Sequence, residues 1–151
     1  MSVDEPDGAT AVSAAWEVAR RIAETDGPTR ALGIEIADVG PGYAKVSMTV
    51  TAMMVNGVGI AHGGFIFLLA DSAFAIACNS YGANAVARSC QIEFLAPAHL
   101  GDLLVAEAQE RRRIGRKGIY DVSVTRGGDD PIAEFRGHSA GYSPGDERQH
   151  P

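Results

Sequence analysis

The sequence is poor in cysteine, with only Cys78 and Cys90 among its 151 residues. Two cysteines are too few for a disulfide framework. Both lie in apolar segments without a base at a recognisable spacing, so we expect buried thiols rather than nucleophiles. Because 46% of the residues are hydrophobic, one core of ordinary size should hold the fold without a disulfide or a structural metal.

Basic residues are also scarce: 13 Lys and Arg against 19 Asp and Glu give a net charge of −6. Duplex nucleic acid and anionic membrane surfaces both require basic faces, so neither is an expected partner. The start, Ser2 to Asp7, is acidic and polar, unlike a secretory signal. The longest apolar run, from Phe65, is shorter than about 20 residues and is interrupted by Asp71 and Ser72, which disfavours a membrane span. These absences predict a cytoplasmic protein.

The residues that are present predict a single domain. Residues 1–10 and 142–151 contain almost no apolar side chains, which predicts two disordered tails around a domain over 11–141. Between about 11 and 25, apolar residues recur at helical spacing opposite charged ones. This pattern predicts an amphipathic N-terminal helix that ends at Gly27-Pro28.

From Leu32 the hydrophobic period falls to two, as in half-buried strands. Two such segments around Gly40-Pro41-Gly42 predict a hairpin, and residues 85–95, 103–113, 118–126 and 131–141 are four further strand candidates. The segment after Gly63-Gly64 predicts a helix that is apolar on nearly every side and must therefore be buried. We expect an α+β fold, with an antiparallel sheet wrapped around one long central apolar helix and an extra N-terminal helix.

Asp71 is the only charged residue between His62 and Arg88. Burying an unpaired carboxylate costs several kcal/mol even after the protein relaxes. A structural Asp that caps or pairs within the core is one interpretation. The other is a catalytic carboxylate, poised as a base or nucleophile by its apolar surroundings.

His62-Gly63-Gly64 stands at the start of the same helix, where backbone N–H groups have no intrahelical partner. Glycines let a ligand atom approach that backbone closely, so these N–H groups suit a developing oxyanion in acyl transfer. The alternative is a tight loop-to-helix joint, with His62 as an ordinary loop residue. A single histidine is too little for a metal site.

The distance between Gly63 and Asp71 decides whether both can act on one carbonyl. Gly63 and Asp71 are eight residues apart, or about 12 Å along a helix. Both groups would have to reach one carbonyl within about 3.5 Å, which a straight helix does not allow. They therefore serve different purposes, or two subunits with antiparallel helices share the site.

The strings HGGFIFLLADSAFAIACNS and QIEFLAPAHLGD, together with Asn56, resemble the hotdog-fold acyl-CoA thioesterases, in particular the phenylacetate-degradation (PaaI) type. The resemblance covers about residues 30–140. It implies a hotdog fold, a homo-oligomer that is a dimer or a dimer of dimers, and active sites at subunit interfaces. It also implies hydrolysis of (hydroxy)phenylacetyl-CoA or related acyl-CoA thioesters without a metal or organic cofactor.

The resemblance also implies roles for individual residues. Asp71 matches the catalytic acid, as base or nucleophile, and Gly63 matches the oxyanion-hole glycine. Asn56 would orient the water or the carboxylate, and His62 would hold the loop or contact the carbonyl oxygen. Ser72 stands where close relatives have Thr, so this chain keeps the hydroxyl and lacks the methyl group.

Five basic residues fall between Arg111 and Lys117, in a chain that is otherwise acidic. A solvated hairpin turn would explain them. Alternatively, they bind the phosphates of CoA, for which Arg113, Arg116 and Lys117 are the candidates, since Arg is well suited to phosphate recognition. Strand alternation would send Arg111 and Arg113 to one face and Arg112 to the other.

Two alternatives to a thioesterase remain open at this stage. A hotdog enoyl-CoA hydratase or dehydratase resembles a different arrangement, in which a His pairs with a distant acid near a Pro-Gly turn. A non-catalytic acyl-CoA-binding protein is the second alternative. A DNA-reading sensor of that kind would need a basic helix-turn-helix extension, which a single N-terminal helix does not supply.

Overall fold

The computed structural model describes residues 7–143 and 145. Six antiparallel strands form one sheet in the spatial order β1-β2-β4-β5-β6-β3, so β1 and β3 are its edges. The predicted hairpin and the four later strands are all present. Their bounds are Glu35–Gly40 (β1), Tyr43–Thr49 (β2), Ala85–Phe94 (β3), Leu103–Ile114 (β4), Lys117–Arg126 (β5) and Asp130–Gly141 (β6).

The central helix α3, Gly63–Asn79, packs against the inner face of this sheet. Its Phe74 ring is 1% exposed and meets the rings of Tyr120 and Phe135 at centroid distances of 5.6 and 5.9 Å. The expected burial of an all-round apolar helix is thus confirmed. The helix is wrapped on one side by the sheet, while its other side remains partly accessible at Leu68 and Asp71.

The N-terminal helix α1 spans Gly8–Thr25, so it begins inside the segment 1–10 that composition had predicted as a tail. The physical reason is an N-cap: the Asp7 carboxylate accepts from the Thr10 N–H at 2.9 Å and satisfies one open donor of the first turn. Residues 1–6 lie outside the described residues. Ala15 and Ala19 are fully buried where α1 packs against β1 and α3.

A short helix α2, Gly27–Ala31, follows α1 and is capped in the same way by Asp26, which accepts from the Thr29 N–H and hydroxyl at 2.9 and 2.6 Å. At the other end of the chain, the Tyr142 N–H donates to Asn84 at 3.0 Å, so the described part of segment 142–151 begins attached to the domain. Residues 144 and 146–151 lie outside the described residues. Within the described chain, no helix is long and apolar enough to cross a membrane.

Candidate active site

Asp71 lies in the middle of α3, on the side that the sheet does not cover, and is half-buried. Burial raises the pKa of its carboxyl above the ordinary value, and the nearby Asp26 carboxylate raises that pKa further. No hydrogen bond or ion pair to the Asp71 side chain occurs within the described residues. A carboxylate without a partner is free to accept a proton or to attack, whereas a structural Asp would be paired.

Ser72, next to it, donates its hydroxyl proton to the Leu68 carbonyl at 2.9 Å. This bond back to the preceding turn fixes the hydroxyl on the helix. Its oxygen can still accept a hydrogen bond, so Ser72 can hold a water molecule but has no free proton to donate.

His62 is the N-cap of α3. Its Nδ1 accepts from the Gly64 N–H at 3.0 Å, which places the neutral ring's proton on Nε2. The resemblance implies that His62 either holds the loop or contacts the carbonyl oxygen. This hydrogen bond gives the first role a structural basis. The ring is exposed, so its Nε2–H remains accessible to a ligand.

Asn56 and Gly63 line the same cavity of about 510 Å³. The Asn56 Oδ1 accepts from the N–H groups of Val58 and Ile60 at 3.1 and 3.2 Å, so the loop itself occupies the acceptor end of this side chain. The amide NH₂ and the Gly63 N–H have no acceptor among the described residues. The cavity thus presents hydrogen-bond donors, as a site for a negatively charged oxygen requires.

Within one chain, these donors and the carboxylate do not meet. Gly63 and Asp71 belong to the same continuous helix, about 12 Å apart along its axis. One carbonyl therefore cannot contact both groups of the same chain. The edge strand β3 is exposed along most of its length, at residues 86–89, 91, 93 and 94.

The basic cluster surrounds a second cavity, of about 370 Å³, at the opposite end of α3 from Gly63. Arg113, Arg116 and Lys117 all line it. The Arg113 guanidinium stacks on the Tyr81 ring at 3.7 Å, and its Nε lies 3.8 Å from the Glu110 carboxylate. Arg116 donates to Ser143. The structure therefore brings the three predicted phosphate-binding residues together around one concave surface.

The expected alternation of the arginines is wrong in one respect. A β-bulge between Glu110 and Arg112 makes Arg111 an extra residue in the strand. Arg111 lies on the outer face of the sheet with Glu107 and Gln109, and its Nε is 3.4 Å from Asp121. After the bulge, Arg113 faces the second cavity instead.

The sequence did not point to three residues that the structure places at these sites. Tyr81 supports Arg113, and its signal was its position directly after the apolar helix. Ser139 lines the basic cavity although it is only 4% exposed, and its hydroxyl has no partner among the described residues. Phe94 lines the cavity of Asn56 and Gly63. Nothing in the sequence alone brings strand residues 94 and 139 next to these loops.

Both cysteine thiols are free. Cys78 is buried, as expected, and burial raises the pKa of its thiol to about 12, so it is protonated near neutral pH. Cys90 is only half-buried, and burial raises its thiol pKa as well. Neither thiol has the lowered pKa of a nucleophile. No cluster of three or more metal-ligating side chains occurs in the described part of the chain.

Residues 58–133, half of the chain, match the family model described as the thioesterase superfamily. The chain belongs to this family. It is 47% identical to the acyl-coenzyme A thioesterase PaaI of Escherichia coli over 125 residues, which are 83% of this chain and 89% of that protein. The solved structure of E. coli PaaI, from the phenylacetic acid degradation operon, superposes with a TM-score of 0.86 at 44% identity and covers 88% of this chain and 96% of that one. The hotdog fold expected from the sequence is thereby confirmed.

A Streptococcus mutans protein of this fold was solved bound to acetyl-CoA. It is 25% identical to this thioesterase-superfamily chain, with a TM-score of 0.70, and covers 73% of this chain and 89% of its own. A CoA thioester is thus a ligand of at least one relative with this architecture.

Replacing Asn56 tests whether its amide works as a donor. We expect Asn56→Ala to lower kcat about a hundredfold, the low end for one oxyanion donor, because the Gly63 N–H remains. Asn56→Asp keeps the acceptor that the Val58 and Ile60 N–H groups bind but removes the donor, so it should be impaired as severely while the loop stays intact. An Asn56→Asp variant with wild-type kcat would contradict the donor role.

Proposed function

We propose that this protein hydrolyses the thioester of (hydroxy)phenylacetyl-CoA or of a related aryl- or acyl-CoA to the free acid and CoA. The observation that supports this most directly is that Asn56 and Gly63, whose amide and backbone N–H have no acceptor among the described residues, line one largely apolar cavity. Such a cavity fits a carbonyl that becomes an oxyanion beside an apolar acyl group. The likeness to an acyl-CoA thioesterase over most of both chains agrees with it.

In the proposed reaction the two donors polarise the thioester carbonyl. Asp71 of a second subunit then either removes a proton from water as the water attacks, or attacks the carbonyl itself to form a mixed anhydride that water hydrolyses. In both cases the C–S bond breaks and the sulfur leaves with its electron pair. Because a thiol has a pKa near 8.5, the thiolate departs without a dedicated general acid, and the reaction needs neither metal nor cofactor.

The placement of the groups on one helix supports a homo-oligomer with shared sites. Pairing of two β3 edges about a two-fold axis would set two α3 helices side by side and antiparallel. Gly63 of one chain would then face Asp71 of the other, and the two-fold axis would generate two such sites per dimer. A dimer of dimers is compatible with the same pairing.

The basic cavity lies at a suitable distance from Asp71 to bind the phosphates of CoA. From Asp71 to Asn79, at the end of α3 beside the cavity, is again eight residues, or about 12 Å. The extended arm of CoA between thioester and phosphates spans a similar distance, comparable to about four extended residues. We therefore place the CoA phosphates at Arg113, Arg116 and Lys117 of the subunit that supplies Asp71.

Reversing the charge at Arg113 or Arg116 should raise KM for acyl-CoA and leave kcat nearly unchanged. The phosphates lie far from the reacting carbon, so their contacts stabilise the bound substrate and the transition state equally. Arg112→Glu is the matched control, since Arg112 does not line the cavity. An acyl-pantetheine substrate, which has no phosphates, should not distinguish the variants. Equal damage with that truncated substrate would show that the cluster is structural.

The expected partners are thus acyl-CoA and further copies of the chain, with no role for nucleic acid or membrane. We place the protein in the cytoplasm, because acyl-CoA thioesters are made and consumed inside the cell and both cysteines are free thiols.

A thiol-release assay with a panel of aryl- and aliphatic acyl-CoAs tests the proposal. We expect release of one thiol per acid formed, with arylacetyl-CoAs among the good substrates. Crotonyl-CoA separates this activity from that of a hotdog hydratase, which would add water to the double bond and release no thiol. Binding of acyl-CoA with no turnover of any substrate would instead support a non-catalytic binding protein.

A further inference from the structure

The ring of Phe94 lies directly on Gly63. A β-carbon built on this glycine would be 2.9 Å from Cζ, 3.3 Å from Cε1 and 3.4 Å from Cε2 of the ring. Non-bonded carbons in folded proteins essentially never approach to 2.9 Å, so a side chain at 63 would require the ring of Phe94 to shift. The ring therefore covers one side of the backbone at Gly63, which lines the cavity.

The main chain holds this ring in place. Phe94 is the last residue of β3 and pairs with Ala133 of β6, and the N–H of Leu95 donates to Ile132 at 2.8 Å. The side chain itself is 52% exposed and lines the cavity together with Asn56 and Gly63. The paired backbone sets where this side chain starts, and its ring lies over Gly63 at the cavity.

A thioester whose carbonyl oxygen binds the Gly63 N–H would lie in the cavity that Phe94 lines. An oxygen that accepts from the Gly63 N–H lies about 2.9 Å from that nitrogen. The two atoms attached to the carbonyl carbon lie within about 2.5 Å of the oxygen. The acyl α-carbon and the sulfur of a thioester bound there would therefore lie in or beside the cavity that Phe94 lines.

The residues that line the cavity indicate whether the acyl side or the sulfur side of the thioester lies in it. Besides Asn56, its side chains are apolar: Ile60, Ile66 and Leu95 line the cavity together with Phe94, as do Ala and Pro residues. The arm of CoA has polar amides and leads to charged phosphates, which suit the basic cavity at the other end of α3 rather than this one. The apolar cavity therefore suits the acyl group.

We propose that Phe94 is a specificity-determining residue of the acyl site, an inference that rests on the proposed acyl-CoA hydrolysis. Its ring flanks the α-carbon of the acyl group. A flat aryl group gains edge-to-face contact with it, while a branch at the α-carbon collides with it.

The experiment compares kcat/KM for phenylacetyl-CoA, 2-phenylpropionyl-CoA and hexanoyl-CoA in the wild type, Phe94→Leu and Phe94→Ala. We expect the wild type to prefer phenylacetyl-CoA. Phe94→Ala should shift the ratio of the α-methylated to the unbranched aryl substrate about tenfold toward the former, the effect of making room for one methyl group. Phe94→Leu, which keeps an apolar side chain, should shift it less. Val12→Ala, an exposed apolar residue on α1, is the control and should leave the ratios unchanged.

A second measurement tests the contact itself. Gly63→Ala should impair turnover because its β-carbon collides with the ring, and the loss should be several-fold smaller in the Phe94→Leu background. Equal factors for all three substrates in both folded Phe94 variants would overturn the inference, since the ring would then act on packing or on the CoA side. Absence of thiol release by the wild-type protein from every substrate would instead contradict the proposed function on which the inference depends.

Discussion

Asp71→Asn should fold and assemble like the wild type and lose about 10²- to 10⁴-fold in kcat. The amide has nearly the same shape as the carboxylate but can neither accept the proton of an attacking water nor attack a carbonyl. Steady-state thiol release over a range of substrate concentrations measures the loss. A variant that keeps more than about half of the wild-type kcat would show that Asp71 is not the base or nucleophile.

The titration of Asp71 predicts how Asp71→Asn changes folding stability, which separates a catalytic role from a structural one. Its pKa is raised in the folded protein, so the folded state holds this proton more tightly than the unfolded state does. The contribution of this group to folding stability is therefore present at low pH and is lost as the pH rises from the unfolded pKa through the raised folded value. At pH 7 the ionised carboxylate destabilises the fold, so Asp71→Asn should have a Tm equal to or above that of the wild type. A clearly lower Tm would indicate a structural role.

The same raised pKa predicts the acid limb of activity. Catalysis requires the ionised carboxylate, so kcat/KM should rise with pH through an apparent pKa above the ordinary value of 3.8. A limb at or below that ordinary value would mean that the titrating group is not Asp71 in its half-buried surroundings.

Elements with strong periodicity could be predicted from the sequence. The alternation of apolar residues from Leu32 indicates strands, and the all-round apolarity after Gly63 indicates a buried helix. Burial of side chains produces both patterns. The start of α1 was harder to predict. Segment 1–10 has a polar composition, and the capping role of Asp7 depends on one hydrogen bond to Thr10 that composition does not reveal.

Single-residue geometry was harder to predict than the elements. The bulge that puts Arg113 on a different face from Arg111 leaves no mark in the hydrophobic pattern. Similarly, Asn56 was expected to orient water or the carboxylate, but only the closed loop shows that its oxygen is occupied and its amide is available. The contact of Phe94 with Gly63 joins residues 31 positions apart, which no local pattern encodes.

The separation of Gly63 and Asp71 along the helix follows from the sequence alone, since it needs only the rise of about 1.5 Å per residue. Its consequence, a site that two subunits share, depends on a partner chain and stays a prediction. It is the central claim of the proposed mechanism, because without it the donors and the carboxylate act on different atoms.

Mixing two inactive variants tests this claim with an expected gain of activity. Asp71→Asn and Gly63→Ala should each be inactive as homodimers. In a mixed dimer, one site combines the altered Gly63 of one chain with the altered Asp71 of the other. The second site combines the two unaltered groups and is intact. After random exchange of equal amounts, half of the dimers are mixed, so activity should recover to about a quarter of the wild-type value. Exchange is confirmed by mass, and Asn56→Asp can replace a Gly63 variant that does not assemble.

The decisive control combines Asp71→Asn and Gly63→Ala in one chain and mixes that chain with an equal amount of wild type. If two subunits share each site, every mixed dimer is inactive, and exchange should lower the activity from about one half to about a quarter of the all-wild-type value. If each chain holds a complete site, exchange leaves the activity at about one half, and the two single variants restore nothing. That second pair of results, with exchange shown to occur, would contradict the shared site.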